Sequence, residues 1–281
     1  MILITKEMPK SDFDLVLCGD THQGTKMRSV SGVQTLVERI ERKNTFFVFM
    51  GDATEAITSM DKRYDPDTVD GTTPLEQASA IIKQFKHVAK KGIAWLVGNH
   101  EGTIRGVGNI ARDKICSELA IPYGTFSARI SFRNLGKTLF NGFFHHGAGQ
   151  IASTHPDPMV RKAIMTYKLK QKLESFGGDC LLNAMGHTHK LLIYRPVDEL
   201  YMRSIHGSIT ANYTSSGLDG NGYIPPHLRW YVNTGGFLKL YSKQNAVSGY
   251  AERMMLQPVE LGFSVVKVRG GTIADIEKIL V

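Results

Sequence analysis

Cysteine is scarce in this chain. Its three cysteines, Cys18, Cys116 and Cys180, are odd in number, far apart and never in a CxxC pair. That argues against a disulfide framework and against a thiolate zinc site. No apolar run approaches the roughly 20 residues needed to span a bilayer. Residues Met1 to Leu17 show no basic segment followed by a long apolar stretch and a small-residue cleavage site. The expectation is a cytoplasmic, reducing environment without a membrane. Internal repeats and low-complexity segments are also missing. What is present is ordinary globular composition, with 281 residues, 42% of them hydrophobic and 21% charged. Such a length can bury a full core in one large domain or two smaller ones. No stretch reads as a linker, so a single domain over residues 1–281 is expected. The net charge of +8 and pI of about 9.3 favour an anionic partner. Half of that charge lies between Met159 and Phe176, where Arg161, Lys162, Lys168, Lys170 and Lys172 face the single acid Glu174, a net of +4.

The order of elements is that of an α/β protein. Asp14 to Leu17, Phe46 to Met50 and Ile93 to Val97 are short apolar runs, each stopping at a Gly-Asp or Gly-Asn-His sequence, and so read as buried strands ending in loops. Helices are expected over Val30 to Lys43, with Val33, Leu36, Val37 and Ile40 on one face, and over Pro74 to Lys91, with Pro74 in the first turn and Gly92 as terminator. Ser127 to Phe132 and Leu139 to Phe144 read as a strand pair joined through Asn134 to Gly136. Leu181 to Met185 is a strand ending at Gly186-His187, and Trp230 to Tyr241 and Phe263 to Val268 are further strands. A basic helix inserted at about 155–178 follows helical spacing. The stretch Tyr201 to Arg229, rich in glycine and holding Pro225-Pro226, reads as an irregular excursion loop.

The residues with chemistry sit just after the strands. In order they are Asp20-Thr21-His22, Gly51-Asp52, Gly98-Asn99-His100-Glu101, His145-His146-Gly147 and Gly186-His187-Thr188-His189. Loops at the carboxyl ends of neighbouring strands can converge on one site. Carboxylate, amide and imidazole ligands together suit first-row divalent metals, and a pair of cations roughly 3.5–4 Å apart can clamp a phosphate. A single ion needs fewer ligands than these. Alternation along a strand sends His145 and His146 to opposite sides, and the strand alone does not say which faces the site. Cys18 reads as an inert core residue and His87 as a solvent-facing one. His155 and His206 read as loop residues.

This series, D-x-H, G-D, G-N-H-[DE], H-G and G-H-x-H, resembles the calcineurin-like metallophosphoesterases, in family order from residue 20 to 189, and Tyr231 to Phe237 looks like the strand and turn that follow it there. The resemblance implies a four-layer α/β sandwich with two central mixed sheets flanked by helices. It implies one metal on Asp20, His22 and His189, a second on Asn99, His146 and His187, and Asp52 bridging them. The residue directly before glycine is the family's ligand, which selects His146. His100 would assist the leaving group, oriented by Glu101. Many relatives carry a second Asp or Asn three residues after the bridging Asp, where this chain has Glu55. The implied cofactors are two divalent ions, manganese foremost, with iron, zinc, nickel or magnesium as alternatives. The implied reaction is attack on phosphorus by a metal-bridging hydroxide.

For the substrate, the basic charge favours a phosphodiesterase or nuclease acting on nucleic acid or nucleotides, since phosphate-tracking surfaces are rich in Lys and Arg. Arg105, Arg161 and Lys162 are the candidate substrate contacts. The alternative is a phosphomonoesterase acting on a phosphoprotein or small molecule. Glu101 matches the serine/threonine phosphatase branch, whereas its D-R-G after the second motif is absent from Asp52 to Ile57. A non-catalytic scaffold is the third reading, disfavoured by the filled ligand positions.

Overall fold

The computed structural model describes residues 1–61, 64–104, 108–217, 222–241 and 250–281. One mixed sheet holds β2 (Phe13–Cys18), β3 (Thr45–Phe49), β4 (Gly92–Trp95), β12 (Gly262–Arg269) and β13 (Thr272–Leu280), in the order β13-β12-β2-β3-β4. The second has the order β1-β5-β6-β7-β11-β8, from β1 (Ile2–Glu7), β5 (Ser127–Asn134), β6 (Lys137–His145), β7 (Leu182–Met185), β8 (Leu191–Tyr194) and β11 (Trp230–Thr234). Within them β2-β3-β4 and β6-β7-β11 run parallel, so their carboxyl ends lie along neighbouring sheet edges.

Strand alternation builds the layers. In β2, Leu15 and Leu17 point into the core between the sheets, against Ala128, Ile130, Phe132 and Phe144, while Val16 and Cys18 point to the opposite face. That outer face is covered by α1 (Val30–Glu41) and α2 (Pro74–Phe85) through Val33, Leu36, Ile40, Ile81 and Phe85. Short helices α3 (Asn99–Gly102) and α4 (Ser117–Leu119) follow β4. On the other side α5 (Pro158–Leu173) lays Leu169 and Leu173 against Phe143 of β6 and Tyr231 of β11. Helix, sheet, sheet and helix form the expected four layers. No helix among the described residues is long and apolar enough to cross a membrane.

Several boundaries differ from the sequence expectation. The helix beginning at Pro74, closed by a capping box between Thr73 and Glu76, tightens into a 3-10 turn over Lys86–Lys91. There the Lys91 ammonium donates to the carbonyls of Ile40, Glu41 and Arg42 at the end of α1, and Gly92 opens β4. The stretch after Tyr201 is not irregular throughout. β9 (Leu200–Ile205) and β10 (Ser208–Tyr213) form an antiparallel hairpin, followed by short 3-10 turns at Thr214–Gly217 and Pro226–Leu228. Its strand residues are largely exposed, so the hydrophobic pattern that marks a core strand is missing. The remaining helix, α6 (Tyr250–Arg253), is a single turn.

A partly buried ion cluster joins three elements. The Asp14 carboxylate of β2 accepts from Lys267 and Arg269 of β12, at 3.0 and 2.9 Å, and from Arg39 of α1. Burial raises its pKa, but the bonds from Lys267, Arg39 and Arg269 outweigh this and hold it below the usual carboxylate value. A depressed folded-state pKa means that the stabilisation is present above the unfolded pKa, and is lost as pH falls through the lower folded value. Asp14→Ala should cost about 2 kcal/mol at neutral pH, since it strands the buried Arg39. The urea midpoint measures this, and the difference from the parent should shrink in strong acid.

Candidate metal centre

The five motifs meet at the carboxyl ends of β2, β3, β4, β6 and β7. Each chain turn there is sharp. Asp20, His22, Asp52, His187 and His189 all adopt the left-handed region, with φ of 52°, 46°, 51°, 68° and 54°. Non-glycine residues go there seldom, Asp and His more readily than most, and such backbone clusters at functional sites. Two motif glycines explain their own presence. A Cβ on Gly51, at φ +96°, would sit 2.7 Å from the Gly98 nitrogen and from His146 Nδ1, and one on Gly98 would lie 1.9 Å from Asp52 Oδ1 and 2.2 Å from its nitrogen.

Alternation also decides between the paired histidines. Phe143 faces α5 and Phe144 the inter-sheet core, so His145 follows Phe143 outward and His146 turns in. His146 is fully buried, with Nε2 3.3 Å from Asp52 Oδ2 and 2.9 Å from Asn99 Oδ1. His187 Nδ1 comes within 2.7 Å of the same Asn99 oxygen. On the other side of Asp52, His22 Nε2 and His189 Nε2 approach to 3.1 Å, and His189 Nε2 stands 3.5 Å from Asp20 Oδ1. Among the described residues three groups could therefore hold a cation: Asp20, His22 and His189; Asp52, His146 and His187; and His22, Asp52 and His100. The first two share no residue, and Asn99 joins the second.

The donor atoms fit positive charge. His146 Nδ1 is bonded to the Met50 carbonyl at 2.7 Å, so that nitrogen carries a proton, and Nε2 faces two further acceptors, Asp52 Oδ2 and Asn99 Oδ1. Asp20 Oδ2 accepts from the His187 N–H at 3.0 Å, while Oδ1 is buried without a hydrogen-bond partner. An orphan carboxylate oxygen beside two converging imidazole nitrogens calls for a cation among them. The electrostatics agree. Burial disfavours the charged form of His146, but Asp52 outweighs it and raises its pKa to about 9. His22 likewise rises to about 9, burial being outweighed by the bond from Glu55 and the charges of Glu55, Asp52 and Asp20. Burial works against ionised Asp52 as well, yet His146, His100 and His22 hold its pKa down.

The surrounding carboxylates have separate tasks. Glu55 Oε2 lies 2.8 Å from His22 Nδ1, an outer-shell bond of the kind that fixes a ligating imidazole's tautomer and orientation. Glu101 is buried and accepts from the backbone N–H groups of Gly98, Asp52 and Thr54, at 3.0, 3.2 and 2.8 Å. It braces the loops carrying Asp52 and Asn99 and does not bond the His100 ring. That ring is oriented instead by the Glu55 carbonyl, 2.7 Å from Nδ1, which leaves His100 Nε2 free and 4.0 Å from Asp52 Oδ2. Burial and then the His22 charge lower the His100 pKa. Burial and the Asp52 charge raise that of Glu101 to about 7. Backbone carbonyls such as those of Met50 and Glu55 leave no trace in a side-chain pattern, so sequence reasoning could not name them. Glu55 was visible only by its spacing from Asp52.

The expected substrate contacts Arg161 and Lys162 lie on α5, outside this cluster. Arg161 donates to the His155 carbonyl at 3.2 Å and Lys162 is exposed on α5. Arg105 falls outside the described residues. Much of the basic helix holds its own neighbouring loop, Lys168 donating to the Ala152 carbonyl and Lys172 to that of Ala148. Because a Cβ on Gly98 would overlap the Asp52 carboxylate and backbone, Gly98→Ala should weaken Mn2+ binding about tenfold or more. Titration calorimetry reads this directly, and unchanged affinity would separate the glycine from the site.

Residues 13–191 match the family described as calcineurin-like phosphoesterase. No curated protein matches. Among solved structures, Vps29 of Chaetomium thermophilum is similar at 11% identity and a TM-score of 0.33, over 95% of this chain and 97% of that one. The NAD nucleotidase NadN of Haemophilus influenzae is similar at 14% identity and a TM-score of 0.39, over 96% of this chain, which spans 50% of the nucleotidase chain. The family match takes in well over half of the sequence and every motif from Asp20 to His189, and on that ground the chain belongs to the calcineurin-like phosphoesterases.

Proposed function

We propose that the chain is a hydrolase of phosphate esters that works with two divalent cations, manganese foremost. The observation that carries this reading is the convergence of Asp20, His22 and His189 on one side of Asp52 and of Asn99, His146 and His187 on the other, with the orphan oxygen of Asp20 inside the first group. Asp20, His22 and His189 would hold one cation, Asn99, His146 and His187 the other, and Asp52 both. Bound cations supply charge neutralisation at phosphoryl oxygens and water of lowered pKa.

The chain's own groups supply the rest. Glu55 holds His22 in the tautomer whose Nε2 faces Asp20 and His189, and the Met50 carbonyl does the same for His146. Glu101 fixes the backbone under Asp52. His100, with Nδ1 bonded to the Glu55 carbonyl, offers Nε2 to the leaving oxygen of a substrate, and burial favours release of a proton from that atom. The net charge of +8 favours a polyanionic or nucleotide diester over a monoester.

His100→Ala should keep its metal content, measured by elemental analysis, and lose about a hundredfold or more in kcat. Loss of metal in that variant would make His100 a ligand instead. Asp52→Ala should lose both ions, and retention of one at full occupancy would remove the bridge. With Mn2+, hydrolysis of bis-p-nitrophenyl phosphate should exceed that of the p-nitrophenyl monoester. The reverse preference would favour a phosphatase, and inactivity with manganese, iron, zinc, nickel and magnesium alike would leave a scaffold.

A further inference from the structure

Beside the metal-ligand cluster, on the outer face of β6, lies a cavity of about 190 Å³ walled by Phe143, Leu173, Phe176 and Met185, with His145 and Lys172 at its polar side. Phe143 is buried, whereas Phe176 is 54% exposed. The two rings stack, 5.6 Å between centroids and 7° from parallel. Together they form the apolar side of the cavity.

The polar side consists of donors. The Gly147 N–H donates to His145 Nδ1 at 2.7 Å. That fixes the neutral tautomer with its proton on Nε2, which is then a donor. The Lys172 ammonium gives one proton to the Ala148 carbonyl at 2.9 Å, and an ammonium has three to give. An occupant of this cavity would therefore be planar, apolar on its faces and rich in acceptors along one edge.

Position ties the cavity to the reaction. His145 and His146 are successive residues, their Cα atoms about 3.8 Å apart, and they leave the strand on opposite faces. Gly147 forms the divide between the two spaces. A Cβ there would meet Met185 Cε at 2.8 Å on the cavity side and His187 Cβ at 2.9 Å on the metal side. The volume lies below the about 300 Å³ at which clefts for whole drug-sized ligands begin, so the cavity takes one ring system and leaves the phosphate outside.

We propose that this cavity is a nucleobase subsite, in which a base carried by the phosphate ester lies against the Phe143–Phe176 wall and turns its acceptor edge to His145 Nε2 and Lys172. The assignment rests on the phosphoesterase reading above and names its substrate class. Stacking on an aromatic wall tolerates any base, because every base has a π-face. Selection among bases falls to the donor edge.

Three non-hydrolysable phosphonates test it by titration calorimetry on the Mn2+-loaded protein. Methylphosphonate carries no ring, benzylphosphonate a ring without acceptors, and a nucleoside 5′-methylenephosphonate both. The nucleoside compound should bind at least tenfold more tightly than methylphosphonate. Phe176→Ala should remove about tenfold of that affinity while leaving methylphosphonate unchanged. His145→Phe should weaken the nucleoside compound and spare benzylphosphonate. If the nucleoside compound binds no better than methylphosphonate, the subsite is wrong and the phosphoesterase reading stands. If benzylphosphonate binds as well as the nucleoside compound, the cavity takes simple aryl groups and the nucleobase assignment fails. If methylphosphonate itself does not bind, the reading on which the subsite rests fails with it.

Discussion

The carboxylate of Glu101 is the contact on which the site's geometry turns. It is buried, carries no cationic side-chain partner among the described residues, and gathers the N–H groups of Gly98, Asp52 and Thr54 from the ends of two parallel strands. Those three bonds set the distance between the Asp52 loop and the Asn99 loop. Gly98 allows that distance, since any larger residue would enter the space of the Asp52 carboxylate. Burial first, and then the neighbouring Asp52 charge, work against the ionised form of Glu101 and push its pKa up to about 7. The tension extends across the cluster, where Asp20, Asp52, Glu55 and Glu101 lie together in a region of low exposure. Divalent cations are the counter-charge such an arrangement fits.

Around this centre, neutral groups do most of the orienting. The Met50 carbonyl fixes His146 and the Glu55 carbonyl fixes His100, while the Glu55 carboxylate fixes His22. Glu55 thus positions two imidazoles with different atoms, and their rings meet edge to face at 4.7 Å. The Asn233 amide bonds the Thr188 hydroxyl, which steadies the loop between His187 and His189 from the neighbouring strand β11. Strained left-handed backbone at five motif residues is held by the parallel strands that deliver it. The same sheet edges separate the histidine and carboxylate cluster from the cavity beyond Gly147, so the end of β6 reaches both through consecutive histidines.

The basic helix shows how charge is reassigned by packing. As a sequence feature, the run from Met159 to Phe176 reads as a surface for phosphate. In the fold, Lys168, Lys172 and Arg161 are engaged with carbonyls of the loop that leaves His146, and Lys170 pairs with Glu174. An ammonium bonded to a carbonyl keeps its charge, so the region remains electropositive. Its lysines serve first to hold a loop and only then to attract an anion.

The ligand types, their order and their placement after apolar strands were legible in the sequence, because strand ends with Gly-Asp or Gly-His are local patterns and the buried parallel strands are continuous apolar runs. The four-layer arrangement was legible with them through the family resemblance. Strands β1, β8, β9, β10 and β13 were not read. β9 and β10 expose most of their residues, and an exposed strand leaves no hydrophobic period to detect. Which of His145 and His146 faces the cluster needed the tertiary structure, since alternation says only that they diverge and Phe143 against α5 says which way. The roles of Glu101 and Glu55 likewise depended on distances between residues from separate loops. Sequence fixes which atoms the chain has to offer at each strand end; only the packing of the two sheets decides which of those atoms meet.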